Sequence, residues 1–193
     1  MKRRLRKAPR RLIRHPPDGT YARFVGTVLP IDSPIEAPLT GRPCAYWRIV
    51  IEEKQGKSYR ELLRREDGHD FSIRDATGTL LVRVAAAELA LHNDGEFSSH
   101  VLKDPTPALE AFLAAQGEKT SGMLFNRSLQ YHEAVIEEGE SVTVAGIAHA
   151  EPDPEGPRET DNYRDTPMRM VLQGSKDLPV LITDDESMAK KKD

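Results

Sequence analysis

The stretch APLTGRPCAYWRIVIEE, residues 37–53, carries the strongest structural signal of the chain. Its first half has the prolines and the glycine of a tight turn, and its second half is a run of aromatic and β-branched residues. This pattern predicts a strand that begins near Cys44 and ends at the glutamates Glu52 and Glu53. Cys44 is the only cysteine of the chain, and its place beside the turn leaves three interpretations open: a nucleophile, a metal ligand or a buried core residue.

Further strands are predicted on both sides of this stretch. TYARFVGTVLP precedes it, and DFSIRDATGTLLVRV follows as a hairpin in which Phe71 and Ile73 point inward. The hairpin turns at Asp75, whose side chain can bind the turn backbone, and at Gly78, which we expect at positive φ. LQYHEAVIEEGESVTVAGIAHA predicts two more strands around a glycine turn, and PMRMVL and LPVLI predict late ones.

Helices are few in this pattern. PTPALEAFLAAQG predicts a helix over residues 106–116, with Leu109, Phe112 and Leu113 on one stripe. Residues 55–69 fit either a helix or the arms of an exposed hairpin. The order predicts a mainly β (α+β) fold: a small, partly open Greek-key barrel resembling an OB-type barrel, with one or two capping helices. We expect AYWRIVIEE, FSIRD, TLLVRV and SVTVAGIA in the barrel and the helix over one end.

Charge divides the chain unevenly. Eight of the 28 basic residues lie within the first 14 positions, so the remainder carries 20 basic and 31 acidic residues, a net charge of −11. We therefore expect a disordered basic arm (1–17), a single β-rich domain (18–183) and a charged tail (184–193). The arm is a solvated tail or a ligand for anionic lipid or nucleic acid, and lipid is favoured because the acidic body repels nucleic acid. Its candidate contacts are Lys2, Arg3, Arg4, Arg6, Lys7, Arg10, Arg11 and Arg14.

No pattern in the sequence predicts an enzyme. One cysteine excludes a disulfide framework and a multi-cysteine zinc site, and the six histidines show no metal-binding spacing. His132 and Glu133 are neighbours on a predicted strand, so they point to opposite faces. No glycine-rich phosphate loop and no apolar run long enough for a membrane span occurs. We predict no catalytic residue, no cofactor and no metal, and Cys44 is interpreted as a packed core residue.

Three motifs in register resemble the GIDE-type domain, also called the "beside a membrane" domain, of mitochondrial membrane-anchored RING ubiquitin ligases and many prokaryotic proteins. They are PLTGRPCAYWRIVIEE, FSIRDATGTLLV and YHEAVIEEGESVTVAGIA, and the similarity spans about residues 20–183. The matching residues, with a structural role in the family, are Pro38, Leu39, Thr40, Gly41, Pro43, Cys44, Asp75, Gly78, Glu133, Gly139 and Gly146. The chain departs from the family in two ways: one cysteine cannot build a RING, and no flanking membrane span is present in the sequence.

The resemblance implies a non-enzymatic binding and recruitment module that acts at or near a membrane surface. A protein partner is expected, an anionic membrane surface is a further candidate, and nucleic acid is disfavoured. We expect a cytoplasmic location, peripheral to a membrane or tethered at it. Two alternatives stay open: an OB-like barrel that binds nucleic acid or oligomers, and a hydrolase-like enzyme that uses Cys44 or an acidic cluster.

Overall fold

The computed structural model describes residues 1–14, 19–92, 95–99, 107–115, 129–154, 156 and 167–189. In chain order its elements are α1 (Lys2–Lys7), β1 (Thr20–Val28), β2 (Ile35–Glu36), β3 (Pro43–Cys44), β4 (Tyr46–Gln55), β5 (Ser58–Gly68), β6 (Phe71–Arg74), β7 (Thr79–Val82), β8 (Glu88–Leu89), β9 (Gly95–Ser99), α2 (Pro107–Ala115), β10 (Leu129–Ile136), β11 (Ser141–Pro152), β12 (Met168–Gln173), β13 (Leu181–Thr183) and α3 (Glu186–Ala189). The fold is mainly β with short helices, as the sequence predicts.

The chain divides into two compact units. The first, called here the barrel unit, comprises residues 1–32, 69–92 and 138–193. The second, called the sheet unit, comprises residues 33–68 and 93–137. Each unit is assembled from separate segments, because the chain leaves the barrel after β1 and again after β8. This alternation is invisible to a segment-by-segment interpretation, which is why the sequence suggested a single domain from 18 to 183.

The barrel unit contains a closed five-stranded mixed barrel. Its strands follow the order β1-β6-β7-β12-β11, and β11 pairs back to β1 over eight residue pairs, from Thr20–Ala148 to Thr27–Ser141. All of these pairings are antiparallel except β7 with β12, which is parallel. The prediction of a small barrel is confirmed, and the ring of strands closes where we expected a partly open one. β13 and β8 extend the sheet beyond the ring.

Alternating side chains fill the barrel. Phe71 and Ile73 are buried on β6, and Leu80 and Val82 are buried on β7, which confirms the predicted hairpin. Gly146 on β11 is required by close packing, since a Cβ there would lie 2.9 Å from the Cγ of Leu172 on β12. The β6–β7 hairpin and the long strand β11 provide the surfaces that position the site described below.

The sheet unit is a four-stranded sheet in the order β5-β4-β10-β9 with α2 packed on one face. The apolar stripe of α2 contacts the strand residues Ile49, Ile51 and Tyr131. On the same face, the rings of Trp47 and Phe112 meet edge to face with centroids 6.0 Å apart. Residues 58–68 form a hairpin arm with β4, which settles the ambiguity of this charged segment in favour of a strand.

Two expectations about the barrel are wrong. AYWRIVIEE forms β4, which pairs with β5 and β10 in the sheet unit. The two barrel strands besides β6, β7 and β11 are β1 and β12. The helix over residues 106–116 exists as α2, but it covers the sheet of the second unit rather than one end of the barrel. Apolar alternation predicts that a strand is buried on one face, and it does not specify the partner against which that face packs.

Candidate functional site

The basic arm is an ordered part of the barrel unit. Residues 1–14, called here the strap, begin with α1, and the side chain of Leu5 is fully buried with Ala8 beside it. Both residues pack against Ala145 of β11 and Leu181 of β13. Residues 1–14 are therefore ordered where we expected a disordered arm, and residues 15–17 of that arm lie outside the described residues. Its apolar residues are few, and the burial of Leu5 and Ile13 contributes to the ordering of this highly charged segment.

Backbone hydrogen bonds hold the second half of the strap. Arg10 forms a parallel bridge with Arg23 of β1: the Arg23 N–H donates to the Pro9 carbonyl, and the Arg11 N–H donates to the Arg23 carbonyl, both at 2.9 Å. Farther along, the Ile13 N–H donates to Asp75 Oδ2 at 3.0 Å, and the Arg14 N–H donates to Thr77 Oγ1 at 3.1 Å. The strap thus runs from β1 to the turn of the β6–β7 hairpin.

The two carboxylate oxygens of Asp75 accept hydrogen bonds from different segments at this turn. Its Oδ1 accepts hydrogen bonds from the N–H groups of Thr77 and Gly78 and from the Thr77 hydroxyl, which closes the hairpin. Its Oδ2 accepts the hydrogen bond from the Ile13 N–H of the strap. Burial raises the pKa of Asp75, but the hydrogen bonds from Thr77, Ile13 and Gly78 outweigh it and leave this pKa below its usual value. Gly78 does not take the positive φ we expected; the turn closes through Asp75 instead.

Three of the eight basic side chains of the strap contact residues elsewhere in the barrel unit. Lys2 Nζ lies 2.6 Å from Asp185 Oδ2, and this contact holds the pKa of Asp185 well below its usual value. Arg4 Nη1 lies 2.8 Å from Glu88 Oε1. Arg10 Nη1 donates to the carbonyl of Ala189 at the end of α3, at 2.9 Å. In the segment 184–193, which we expected to be a charged tail, residues 186–189 form α3, and residues 190–193 lie outside the described residues.

The other five cations face outward. Their side chains are exposed and make no ion pair with any residue that the structure describes; they are Arg3, Arg6, Lys7, Arg11 and Arg14. On α1, Arg3 and Lys7 lie two residues before and after the buried Leu5, and so on the opposite side of the helix, whereas Arg6 lies on its flank. Among them stands Leu12, whose side chain is 61% exposed. These five cations and Leu12 are called here the outer face of the strap.

In the sheet unit, the buried Glu133 organises the turn before β3. Its Oε1 accepts the Leu39 N–H at 2.8 Å, and its Oε2 accepts the Thr40 N–H at 3.1 Å and the Thr40 hydroxyl. Gly41 has φ +70°, which confirms the tight turn expected there, and its N–H donates to the Ala37 carbonyl. Glu133 is fully buried, so its carboxyl oxygens take their hydrogen bonds from these donors rather than from water.

Cys44 is a packed core residue. Its side chain is fully buried against Ala37 and Val135, and its thiol lies 3.5 Å from the carbonyl oxygen of Ile35. Burial, together with the nearby charges of Glu133 and Glu137, raises the pKa of Cys44 to about 11. A thiol with this pKa is protonated at neutral pH and is a poor nucleophile. This environment contradicts a catalytic role for Cys44.

The residues of the family motif fall into two groups. Glu133 lies opposite the turn that contains Pro38, Leu39, Thr40 and Gly41, and Pro43 and Cys44 pair as β3 with β2. The second group belongs to the barrel unit, where Asp75 and Gly78 form the hairpin turn, Gly139 turns at φ +82° and Gly146 allows close packing. His132 and Glu133 point to opposite faces as predicted, since His132 lies near Glu52 and Glu133 contacts the turn.

Neither a metal centre nor a membrane-spanning helix is found in the described part of the chain. No group of three or more potential metal ligands occurs among the described residues. None of their helices is long and apolar enough to cross a membrane. Comparisons with protein-family models, with curated proteins and with solved structures found no match.

Sequence reasoning missed the docking of the strap and the partners that hold it. The apolar residues of the arm include Leu5, Leu12 and Ile13, and the sequence does not separate the two that are buried from the one that is exposed. The apolar residues of the arm are spaced irregularly, so they show neither a helical nor a strand period. Glu88 and Asp185 lie 84 and 183 positions from their partners, so no local pattern could reveal them.

Proposed function

We propose that this protein is a non-enzymatic binding module that attaches to an anionic membrane surface through the outer face of the strap. The observation that carries the proposal is the division of the strap cations: three are bound by the barrel unit, and five are presented outward. Because the strap is docked, these five cations are held in place before binding. Less conformational entropy is therefore lost on attachment than a disordered arm would lose.

Charge distribution supports an approach by this face. The body outside the strap carries a net charge of −11 and is repelled by anionic lipid. Each basic residue near such a surface contributes about 1 kcal/mol, and five of them in place give a useful but reversible attachment. The similarity to the GIDE-type domain points in the same direction and adds that a protein partner is recruited there. No environment suited to catalysis accompanies Cys44, so the hydrolase alternative has lost its main support.

The second candidate is an OB-like barrel that binds nucleic acid. It is supported by the closed five-stranded barrel with its single parallel pair β7–β12, since OB-type barrels also have five strands. Two observations favour the membrane. The acidic body opposes a phosphate backbone, and among the described residues only one large aromatic side chain, Tyr59, is strongly exposed. Single-stranded nucleic acid is held by stacking on several aromatic residues as well as by charge.

Co-sedimentation with vesicles tests the proposal. The full chain should bind phosphatidylserine vesicles at low salt and should leave phosphatidylcholine vesicles unbound. Changing four outward cations to glutamine should weaken binding at least about a hundredfold; these changes are Arg6→Gln, Lys7→Gln, Arg11→Gln and Arg14→Gln. A matched control removes four exposed cations elsewhere, by Lys54→Gln, Lys57→Gln, Arg60→Gln and Lys176→Gln, and should bind nearly as well as the unchanged chain.

Two results would contradict the proposal. One is equal binding to phosphatidylcholine vesicles, and the other is an equal loss of binding in both glutamine variants. The same pair of variants should be tested with a single-stranded oligonucleotide. Tight binding that survives about 0.5 M salt and both sets of substitutions would assign the barrel itself as a nucleic-acid site, because contacts limited to phosphates weaken steeply with salt.

A further inference from the structure

We infer that the strap binds the bilayer while it remains docked on the barrel, with Leu12 as the one side chain that enters the acyl layer. This inference rests on the proposed function and names which part of the bilayer each part of the strap meets. The outward cations contact lipid headgroups. Leu12 reaches the apolar region beneath them, and the barrel unit is held directly at the surface rather than on a tether.

The contacts of the strap argue that it stays docked. Leu5 is fully buried and Ile13 is 1% exposed, so detachment would expose both side chains to water. It would also break the bridge with Arg23 and the hydrogen bond from Ile13 to Asp75. The five outward cations are exposed while all of these contacts are in place, so their contact with lipid headgroups does not require that the strap detach. If the strap detached, only three more cations would become available to the bilayer. These are the ones that already contact Asp185, Glu88 and the Ala189 carbonyl.

Leu12 is the apolar side chain of the strap that is left for insertion. Its neighbour Ile13 is buried, whereas Leu12 is 61% exposed between Arg11 and Arg14. An exposed leucine flanked by cations suits a bilayer, where a layer of anionic phosphates covers an apolar interior. A nucleic-acid backbone offers the same charge but no apolar layer beneath it. This combination therefore distinguishes a membrane from other anionic ligands.

The first test measures the contribution of Leu12. On vesicles that contain phosphatidylserine, Leu12→Ala should weaken binding about tenfold, since part of a leucine side chain is no longer removed from water. The control is Leu178→Ala, because Leu178 is also exposed, at 41%, and lies outside the strap. It should leave the affinity unchanged. Equal affinities of Leu12→Ala and the unchanged chain would overturn the insertion, and the proposed function would stand if the glutamine variant still lost binding.

The second test asks whether the strap leaves the barrel. Hydrogen exchange of the full chain, with and without phosphatidylserine vesicles, should be followed at the amides of Arg11, Ile13 and Arg23, which hold the strap in place. Docked binding predicts that their protection is retained or increased. Loss of protection on vesicles would show that the strap detaches, and it would overturn the inference while leaving membrane binding itself intact.

Discussion

Glu133 shows how one buried side chain can determine a turn. Its two carboxylate oxygens take three hydrogen bonds from Leu39 and Thr40, and the turn they hold leads directly into β3. A buried carboxylate is costly unless donors surround it, so the turn and Glu133 require each other. The role is structural, and it gives a physical reason for the acidic residue in the third motif.

Replacing this carboxylate tests its role. Glu133→Gln puts an NH2 group against backbone N–H donors, and we expect the sheet unit to lose about 2–3 kcal/mol of stability. Urea unfolding followed by the fluorescence of Trp47, which lies in the same unit, measures this loss. The control Glu138→Gln alters an exposed residue and should change the urea midpoint little. Equal stability of the two variants would mean that the three hydrogen bonds contribute little.

The thiol of Cys44 gives a second prediction at this scale. With a pKa of about 11, its thiolate fraction at pH 8 is far below that of an ordinary cysteine. We expect the native protein to react with a thiol reagent at least about a hundred times more slowly than the same chain unfolded in guanidinium, because the thiolate is the reactive form. Raising the pH toward 11 should restore reactivity. Rapid reaction of the native thiol at neutral pH would revive the hydrolase alternative.

At the scale of elements, the strap is the main surprise. A segment with eight cations among fourteen residues has the composition of a solvated tail, yet it forms a helix and a bridge to β1. It also covers the backbone groups of Arg23, which would otherwise lie at an exposed edge of the sheet. Deleting the strap would thus remove part of the barrel unit as well as its charges, which is why glutamine substitutions are the cleaner test of binding.

Two leucines of the strap give a matched pair. Leu5→Ala removes a fully buried side chain, and we expect it to destabilise the barrel unit by about 2–4 kcal/mol. Leu12→Ala removes an exposed one and should change stability by less than about 0.5 kcal/mol. Calorimetric unfolding of both variants without lipid compares them. A strap that is only a solubilising tail would give the same small effect at both positions.

At the scale of the whole molecule, the net charges of the strap and of the rest of the chain have opposite signs. The strap carries eight basic residues and the rest of the chain carries a net charge of −11, which favours attachment to an anionic surface through the strap. Both attraction and repulsion act over the screening length, which is about 8 Å at physiological salt. We therefore expect the vesicle binding described above to fade as salt is added, down to the residual contribution of Leu12.

The sequence by itself determined the secondary structure of the strongest segments. Period-two alternation identified the β6–β7 hairpin, the turn residues identified the glycine turns at 41 and 139, and the stripe of α2 identified its helix. It also determined that Cys44 would be buried, because a small apolar side chain at the head of an apolar strand has no reason to face water. These features depend on neighbours within a few residues, which a linear pattern contains.

Only the tertiary structure decided which strands close the barrel, where α2 packs and whether the arm is ordered. β4 and β1 both have strand patterns, and pairing between strands far apart in the chain placed them in different units. The strap is ordered by Ala145, Leu181 and Asp75, which lie far from it in sequence. The sequence therefore showed the candidate site only as a cluster of basic residues. Its division into bound and outward cations depends on long-range contacts that composition does not encode.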